Sequence, residues 1–145
     1  MAHVRWVGAG GRPAHGSVPS VARCLVAIIV LKVRTRVFRL GPTLRWILQH
    51  DSQIPPPTLA PTAFLTACEY AVALAAALYP GRALCLERSL ALFYLARQAG
   101  IPVTYHHGVE TLPFSAHAWV EYEGRVVNDV PEHVLMYRRL PQVCP

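Results

Sequence analysis

Charged residues are scarce in this chain, and acidic residues are the scarcer kind. Only 15% of the 145 residues are charged, with 8 acidic against 14 basic side chains, whereas 53% are hydrophobic. This composition excludes a largely disordered chain and predicts one packed core. The net charge of +6 permits an acidic partner but selects none. We expect no nucleic-acid partner, because no aromatic stacking platform or reading helix accompanies the arginines.

Patterned cysteines and histidines are also missing. The sequence has four cysteines and seven histidines but no C-x-x-C or H-x-x-x-H pair. We therefore expect no disulfide framework, no metal site and no cofactor, and a reducing cytosol as the compartment. Cys24 and Cys68 lie among apolar residues, which predicts that they serve as small core hydrophobes.

A membrane-spanning run is not evident in the first part of the chain. The apolar stretch from Val21 to Leu31 is interrupted by Arg23 and closed by Lys32, and it is shorter than the about 20 residues that a spanning helix needs. Residues 1–20 show no signal-peptide pattern. We predict a buried helix here and no peripheral membrane contact.

The order of periodic segments predicts helices first and a small antiparallel sheet second, an α+β fold. A helical pattern from Val21 should end or kink near Leu40, because Gly41-Pro42 interrupts it. The basic side chains around it form either a solvated face or a docking surface for an acidic partner. Two more helices are predicted over residues 62–79 and from Leu84 or Cys85 to Ala99, and strands over residues 103–109, 116–122 and 125–129. We expect a disordered tail over residues 1–17 and one domain over 18–145, helical to residue 80 and carrying the catalytic helix and sheet over 81–145.

Three residues in the second half have the types and order of a thiol catalytic triad. Cys85 falls in the first turn of a predicted helix, where unpaired N–H groups favour a thiolate and could hold an oxyanion. His117 on a strand can serve as its base, and Asp129 on the next strand can fix the tautomer of that base.

The pairing of His117 with Asp129 depends on the register of the hairpin. A two-residue turn at Glu123-Gly124 would place Ala118, not His117, opposite Asp129. A three-residue loop, residues 122–124, would place His117 directly opposite Asp129, and Gly124 suits the left-handed last position of such a loop. We therefore predict the bulged, three-residue hairpin. In that register Trp119 and Glu121 share the face of His117, and Glu121 can pair with Arg125.

Four blocks in order carry a family resemblance. They are CLERSLAL from Cys85 to Leu92, GIP at residues 100–102, PFSAHAWVE at residues 113–121 and VND at residues 127–129. Together they resemble the bacterial lasso-peptide leader peptidases, a branch of the transglutaminase-like (papain-like) cysteine-protease superfamily. The resemblance is strongest over residues 84–131 and extends more loosely towards residue 21.

The resemblance implies a cytoplasmic bacterial peptidase that removes the leader from a ribosomally made precursor. It implies three partners: the precursor peptide, a separate leader-binding recognition protein, and the ATP-dependent asparagine-synthetase-like cyclase that closes the macrolactam. The segment that would recognise the leader is not found here, so we expect a stand-alone peptidase. By position Cys85 would be the nucleophile, His117 the general base and then acid, and Asp129 the orienting carboxylate.

Four further residues are candidate supporting or substrate-binding groups. Arg88 and Ser89 lie on the helical side of Cys85 and could bind substrate or brace the hairpin. Trp119 could wall the cleft or cap the core. Asn128 is a rival orienting group, although in the predicted register it faces away from His117.

Two other functions remain open at this point. The same triad could transfer the acyl group to an amine, as transglutaminases do, because both reactions pass through a thioester. A non-catalytic adaptor could use the basic helix to bind a partner, but it would not need the cysteine, histidine and aspartate together.

Overall fold

The computed structural model describes residues 17–51 and 59–142. Residues 1–16 of the predicted tail lie outside the described residues, as does Cys144. The architecture is α+β, as predicted, with four helices preceding an antiparallel sheet and a short helix within it. The elements are α1 Val21–Phe38, α2 Leu40–Gln49, α3 Pro61–Leu78, α4 Cys85–Gln98, β1 Thr104–Thr111, β2 Phe114–Tyr122, β3 Arg125–Val126, α5 Pro131–Val134 and β4 Arg138–Arg139.

The predicted break near Leu40 is confirmed. Helix α1 ends at Phe38, and Arg39 follows at a φ of 66° before α2 begins at Leu40. Pro42 therefore lies in the first turn of α2, where its missing N–H deprives no helical hydrogen bond of a donor. The break turns the chain so that α2 contacts both α1 and α4.

Helix α3 is long and apolar enough, by length and composition alone, to cross a membrane. It packs against α1 and α4, and it buries Phe64, Leu65 and Cys68 in the core. Cys24 on α1 is buried in the same core, so the prediction that these two cysteines act as core hydrophobes is confirmed. Burial raises the pKa of Cys68 to about 12 and also raises the pKa of Cys24.

The sheet has the strand order β3-β2-β1-β4, with every neighbouring pair antiparallel. Strand β2 separates two layers because its successive side chains point to opposite faces. Ala118 and Val120 face the helices and belong to the main core. His117, Trp119 and Glu121 point to the other face, where they contact residues of α5 and β4.

The predicted three-residue hairpin loop is wrong. Tyr122 pairs with Arg125 across a two-residue turn in which Glu123 and Gly124 have φ values of 49° and 76°. Two residues at positive φ are typical of a type I′ turn, whose twist matches that of the flanking strands. The predicted third strand is also too long, because β3 ends at Val126 and not at Asp129.

Candidate active site

Cys85 is the first residue of α4, as the sequence predicts. The side chain of Glu87 accepts a hydrogen bond of 2.9 Å from the backbone N–H of Leu84, which stabilises the start of the helix. The half-exposed thiol of Cys85 donates to the carbonyl oxygen of Ala116 at 4.0 Å. Since Ala116 immediately precedes His117, the open end of α4 lies against β2 beside the predicted base.

His117 and Asp129 are in direct contact although the predicted register is wrong. Nε2 of His117 hydrogen-bonds to Oδ2 of Asp129, and both side chains are largely buried. The last regular ladder bond beyond β3 runs from the N–H of Val127 to the carbonyl oxygen of Val120, at 2.9 Å. The chain leaves the sheet after that bond, and this departure brings Asp129 to His117.

Asn128 explains why the chain leaves the sheet. Its Oδ1 accepts from the N–H of Val120 at 2.8 Å and so occupies the place of a backbone acceptor. Its Nδ2 donates to Oγ of Ser89 at 2.8 Å, and that hydroxyl donates in turn to the carbonyl oxygen of Ala118 at 2.8 Å. We call Ser89 and Asn128 the clamp, because they join α4, β2 and the segment that carries Asp129.

The clamp answers two questions that the sequence left open. Ser89 is fully buried and its hydroxyl bonds to Ala118 and Asn128, which supports a bracing role over substrate binding. The side chain of Asn128 uses its oxygen to bond to Val120 and its amide nitrogen to bond to Ser89. These contacts favour Asp129 over Asn128 as the group that orients His117.

Asp129 accepts hydrogen bonds from three donors. Oδ1 accepts from the N–H of Val130 at 2.7 Å, and Oδ2 is shared by His117 and by Nδ1 of His133, at 2.8 Å from the latter. Burial alone would raise the pKa of this carboxyl. The hydrogen bonds from His133, Val130 and His117 outweigh burial and hold its pKa below the ordinary value. The carboxylate is therefore kept ionised beside His117.

Trp119 is completely buried and fills the layer between two imidazoles. Its ring stacks on His117 at 6.1 Å and on His106 at 5.9 Å between centroids. The indole N–H donates to Oε1 of Glu121 at 2.9 Å. Of the two roles left open for Trp119, the structure supports packing, here against the ring of His117.

Glu121 does not pair with Arg125, contrary to the prediction. It accepts from Arg139 of β4 at 2.6 Å and lies 3.3 Å from Nε2 of His106. Burial would raise its pKa, but the hydrogen bonds from Trp119 and Arg139 and the nearby positive charge lower it. This carboxylate therefore ties β4 to the face of the sheet that carries His117.

The ion pair that Arg88 forms involves neither the Cys85 thiol nor the hairpin. Its guanidinium donates to Oε1 of Glu69 on α3 at 3.1 Å. Both side chains are partly exposed, so the Arg88–Glu69 pair is a surface link between α4 and α3.

His133 and Tyr137 are site residues that sequence reasoning missed. The ring of His133 lies 4.7 Å from that of His117, and the ring of Tyr137 lies 5.0 Å from it. The only available signal was the spacing of Asp129 and His133, four residues apart around the short helix α5, which is too weak to identify alone. Asp129, His117 and His133 each offer a ligand atom within 4.8 Å of the others, so these residues could also hold a metal ion.

A largely buried, ionised carboxylate bonds to an imidazole, and a thiol at a helix N-terminus lies against the same strand. These groups are equipped for nucleophilic acyl chemistry. The family model of the transglutaminase-like superfamily matches residues 27–142. The chain therefore belongs to the transglutaminase-like superfamily, which includes cysteine peptidases and acyltransferases. Neither a curated protein nor a solved structure matches the chain. The individual catalytic roles of Cys85, His117 and Asp129 stay predictions.

Proposed function

We propose that this protein is a cysteine peptidase that removes the leader from a ribosomally made lasso-peptide precursor. The observation that carries the proposal is the arrangement of Cys85 at the start of α4 against the strand of His117, with His117 bonded to Asp129. Membership in the transglutaminase-like superfamily supports the thiol chemistry. The four sequence blocks that resemble leader peptidases support the finer choice of substrate.

The reaction begins with the Cys85 thiolate. It attacks the carbonyl carbon of the leader's last residue, forming a carbon–sulfur bond while backbone N–H groups at the start of α4 stabilise the oxyanion. His117, protonated after accepting the thiol proton, gives that proton to the departing amine as the carbon–nitrogen bond breaks. Water then attacks the thioester, and His117 accepts one of its protons. The carbon–sulfur bond breaks, which restores the thiolate, and the leader leaves as a carboxylic acid that loses its proton to solvent.

Asp129 keeps its charge throughout. Its Oδ2 faces Nε2 of His117, so it favours the tautomer with the proton on Nε2 and leaves Nδ1 as the nitrogen that exchanges protons with the thiol. It also stabilises the imidazolium that forms in both steps.

A separate leader-binding protein would present the precursor, and the asparagine-synthetase-like cyclase would use the new N-terminus.

The test combines the purified protein with a leader-binding protein and candidate precursors from neighbouring genes, and it follows the products by mass spectrometry. We expect two fragments whose masses sum to the precursor plus one water. Cys85→Ala should abolish this cleavage. The control Cys24→Ala changes a thiol in the core, and folded Cys24→Ala should still cleave the precursor.

The acyl-transfer alternative makes a different product. Transamidation of a glutamine would break its side-chain carbon–nitrogen bond, release ammonia and join an amine, without a cut in the peptide backbone or an added water. If folded Cys85→Ala cleaved the precursor, or joined the amine, at an undiminished rate, Cys85 would not be the nucleophile of that reaction.

A further inference from the structure

The carboxylate of Asp129 is shared by two imidazoles, and only one of them has a role in the mechanism above. His117 reaches Oδ2 through Nε2, and His133 reaches the same oxygen through Nδ1, at 2.8 Å. Oδ1 is engaged by the N–H of Val130 at 2.7 Å. A carboxylate held at both oxygens cannot rotate freely about its Cβ–Cγ bond, so its orientation towards His117 depends on all three donors.

His133 itself is held in place by its surroundings. It lies in α5, which begins at Pro131 directly after the capping residue Val130. Its ring meets the ring of Tyr137 edge-on, with centroids 5.3 Å apart, and its Nε2 lies 3.5 Å from the Tyr137 hydroxyl. That hydroxyl lies 3.4 Å from Oγ of Ser115 on β2. The second imidazole is therefore anchored to the same strand as His117.

The contacts of His133 assign a consistent set of protons. An acceptor at Nδ1, the Asp129 carboxylate, requires a proton on Nδ1. In the neutral ring Nε2 is then the acceptor, which suits the hydroxyl of Tyr137. A neutral His133 can thus donate to Asp129 permanently, without taking part in the proton transfers between thiol and substrate.

We propose that His133 is a positioning residue of the candidate active site, whose Nδ1–H holds Oδ2 of Asp129 against His117. The inference rests on the proposed thiol chemistry of Cys85. His133 acts through Asp129 and touches neither the thiol nor the substrate in this role. Its loss leaves the nucleophile and the base present but lets the orienting carboxylate turn away from His117.

Two substitutions separate this role from simple packing. His133→Phe keeps a ring between His117 and Tyr137 but removes the donor. His133→Asn removes the ring but places an amide N–H close to the position of Nδ1–H. A positioning role predicts that Asn functions better than Phe, whereas a packing role predicts the reverse order.

The readout is the rate at which iodoacetamide alkylates Cys85 at pH 7, measured by mass spectrometry of the Cys85 peptide. The assay needs no precursor and no partner. The alkylation rate does not depend on which substrate the protein cleaves, so failure of the leader-peptidase assignment would not change it. Failure of the positioning role would abolish or reverse the difference between the two variants. Thermal unfolding of each variant verifies that it is folded.

We expect His133→Phe to lower the alkylation rate about tenfold, equivalent to 1.4 kcal/mol. His133→Asn should recover most of this loss. The control His50→Ala changes the histidine that caps the C-terminal end of α2, where its ring bonds to the backbone carbonyl oxygen of Trp46, and it should match the native protein. Native rates in His133→Phe, or an Asn variant slower than the Phe variant, would overturn the inference.

The same cluster could act as a metal site, and the assay distinguishes that case. A bound divalent ion on His117 and Asp129 would slow alkylation until a chelator removed it. We expect EDTA to leave the native rate unchanged. A marked increase on adding EDTA, lost in His133→Phe, would overturn the positioning role.

Discussion

The two faces of β2 carry alternate residues of one strand, and different interactions hold each face in place. The face towards the helices carries Ala118 and Val120, which pack into the main apolar core. The opposite face carries His117, Trp119 and Glu121, which are held by stacking, hydrogen bonds and ion pairs. The first face depends on shape and apolar area, and the second depends on the orientation of polar groups.

This difference assigns separate consequences to substitutions on the two faces. Loss of apolar volume on the helix face should lower the free energy of unfolding without altering the reactivity of a molecule that remains folded. Changes on the polar face should alter the orientation of His117 as well as stability. The clamp of Ser89 and Asn128 belongs to both, because it joins α4 to the segment of Asp129.

The largest effect on stability should come from Trp119→Ala. The indole is completely buried and packs against two imidazoles, so its removal should cost about 3–5 kcal/mol of unfolding free energy. Val120→Ala, on the other face, should cost roughly 1–3 kcal/mol because it removes fewer buried atoms. Urea unfolding measures both free energies, and an equal or smaller loss for Trp119→Ala would show that the buried indole contributes less to stability than its packing predicts.

The clamp should show energetic coupling. Ser89→Ala and Asn128→Ala should each cost about 1–3 kcal/mol, since each leaves a buried partner unsatisfied. The double variant should cost less than the sum of the two, because the bond between them is lost only once. Strict additivity in urea unfolding would show that the Ser89–Asn128 hydrogen bond contributes nothing.

Glu121 should give the polar face a dependence on pH. Its pKa lies below the ordinary value in the folded state, although burial opposes the shift. Its contribution to stability is therefore present above the unfolded pKa of about 4.3 and lost as the pH falls through the folded pKa. Glu121→Gln should cost about 1–3 kcal/mol at neutral pH, and its stability should fall less than that of the native protein on acidification. A parallel fall in both proteins would contradict this assignment.

The smallest effect should come from Arg88→Ala, one residue away from the clamp. The Arg88–Glu69 pair is partly exposed, so its loss should cost about 0–1 kcal/mol. The matched comparison is Ser89→Ala in the same turn of α4. If Arg88→Ala proved the more damaging of the two in thermal unfolding, Arg88 would have a function beyond the surface link.

The helices could be predicted from the sequence because their signals are local. Apolar spacing and the break at Gly41-Pro42 place α1, α3 and α4 to within a few residues of their observed bounds. The signals for the candidate site residues were local as well, since they were a cysteine at a helix start followed along the chain by a histidine and an aspartate.

The geometry of the hairpin could not be predicted, because it depends on partners distant in the chain. Gly124 suits either turn. The side chain of Asn128 accepts from the N–H of Val120 while its amide donates to Ser89 on α4, far away in the sequence. Helix α5 and strand β4 span four and two residues, too few for periodicity, so His133 and the Glu121–Arg139 pair were not foreseen.

The most direct test of the central claim is the reactivity of Cys85 towards iodoacetamide at pH 6 in the native protein and in His117→Ala, measured at the Cys85 peptide. Cys24 and Cys68 are buried and should stay unmodified while the protein is folded. We predict rapid alkylation of Cys85 in the native protein and a fall of at least about tenfold in folded His117→Ala, because the imidazole supports the thiolate. Equal rates in the two proteins would show that His117 does not activate Cys85.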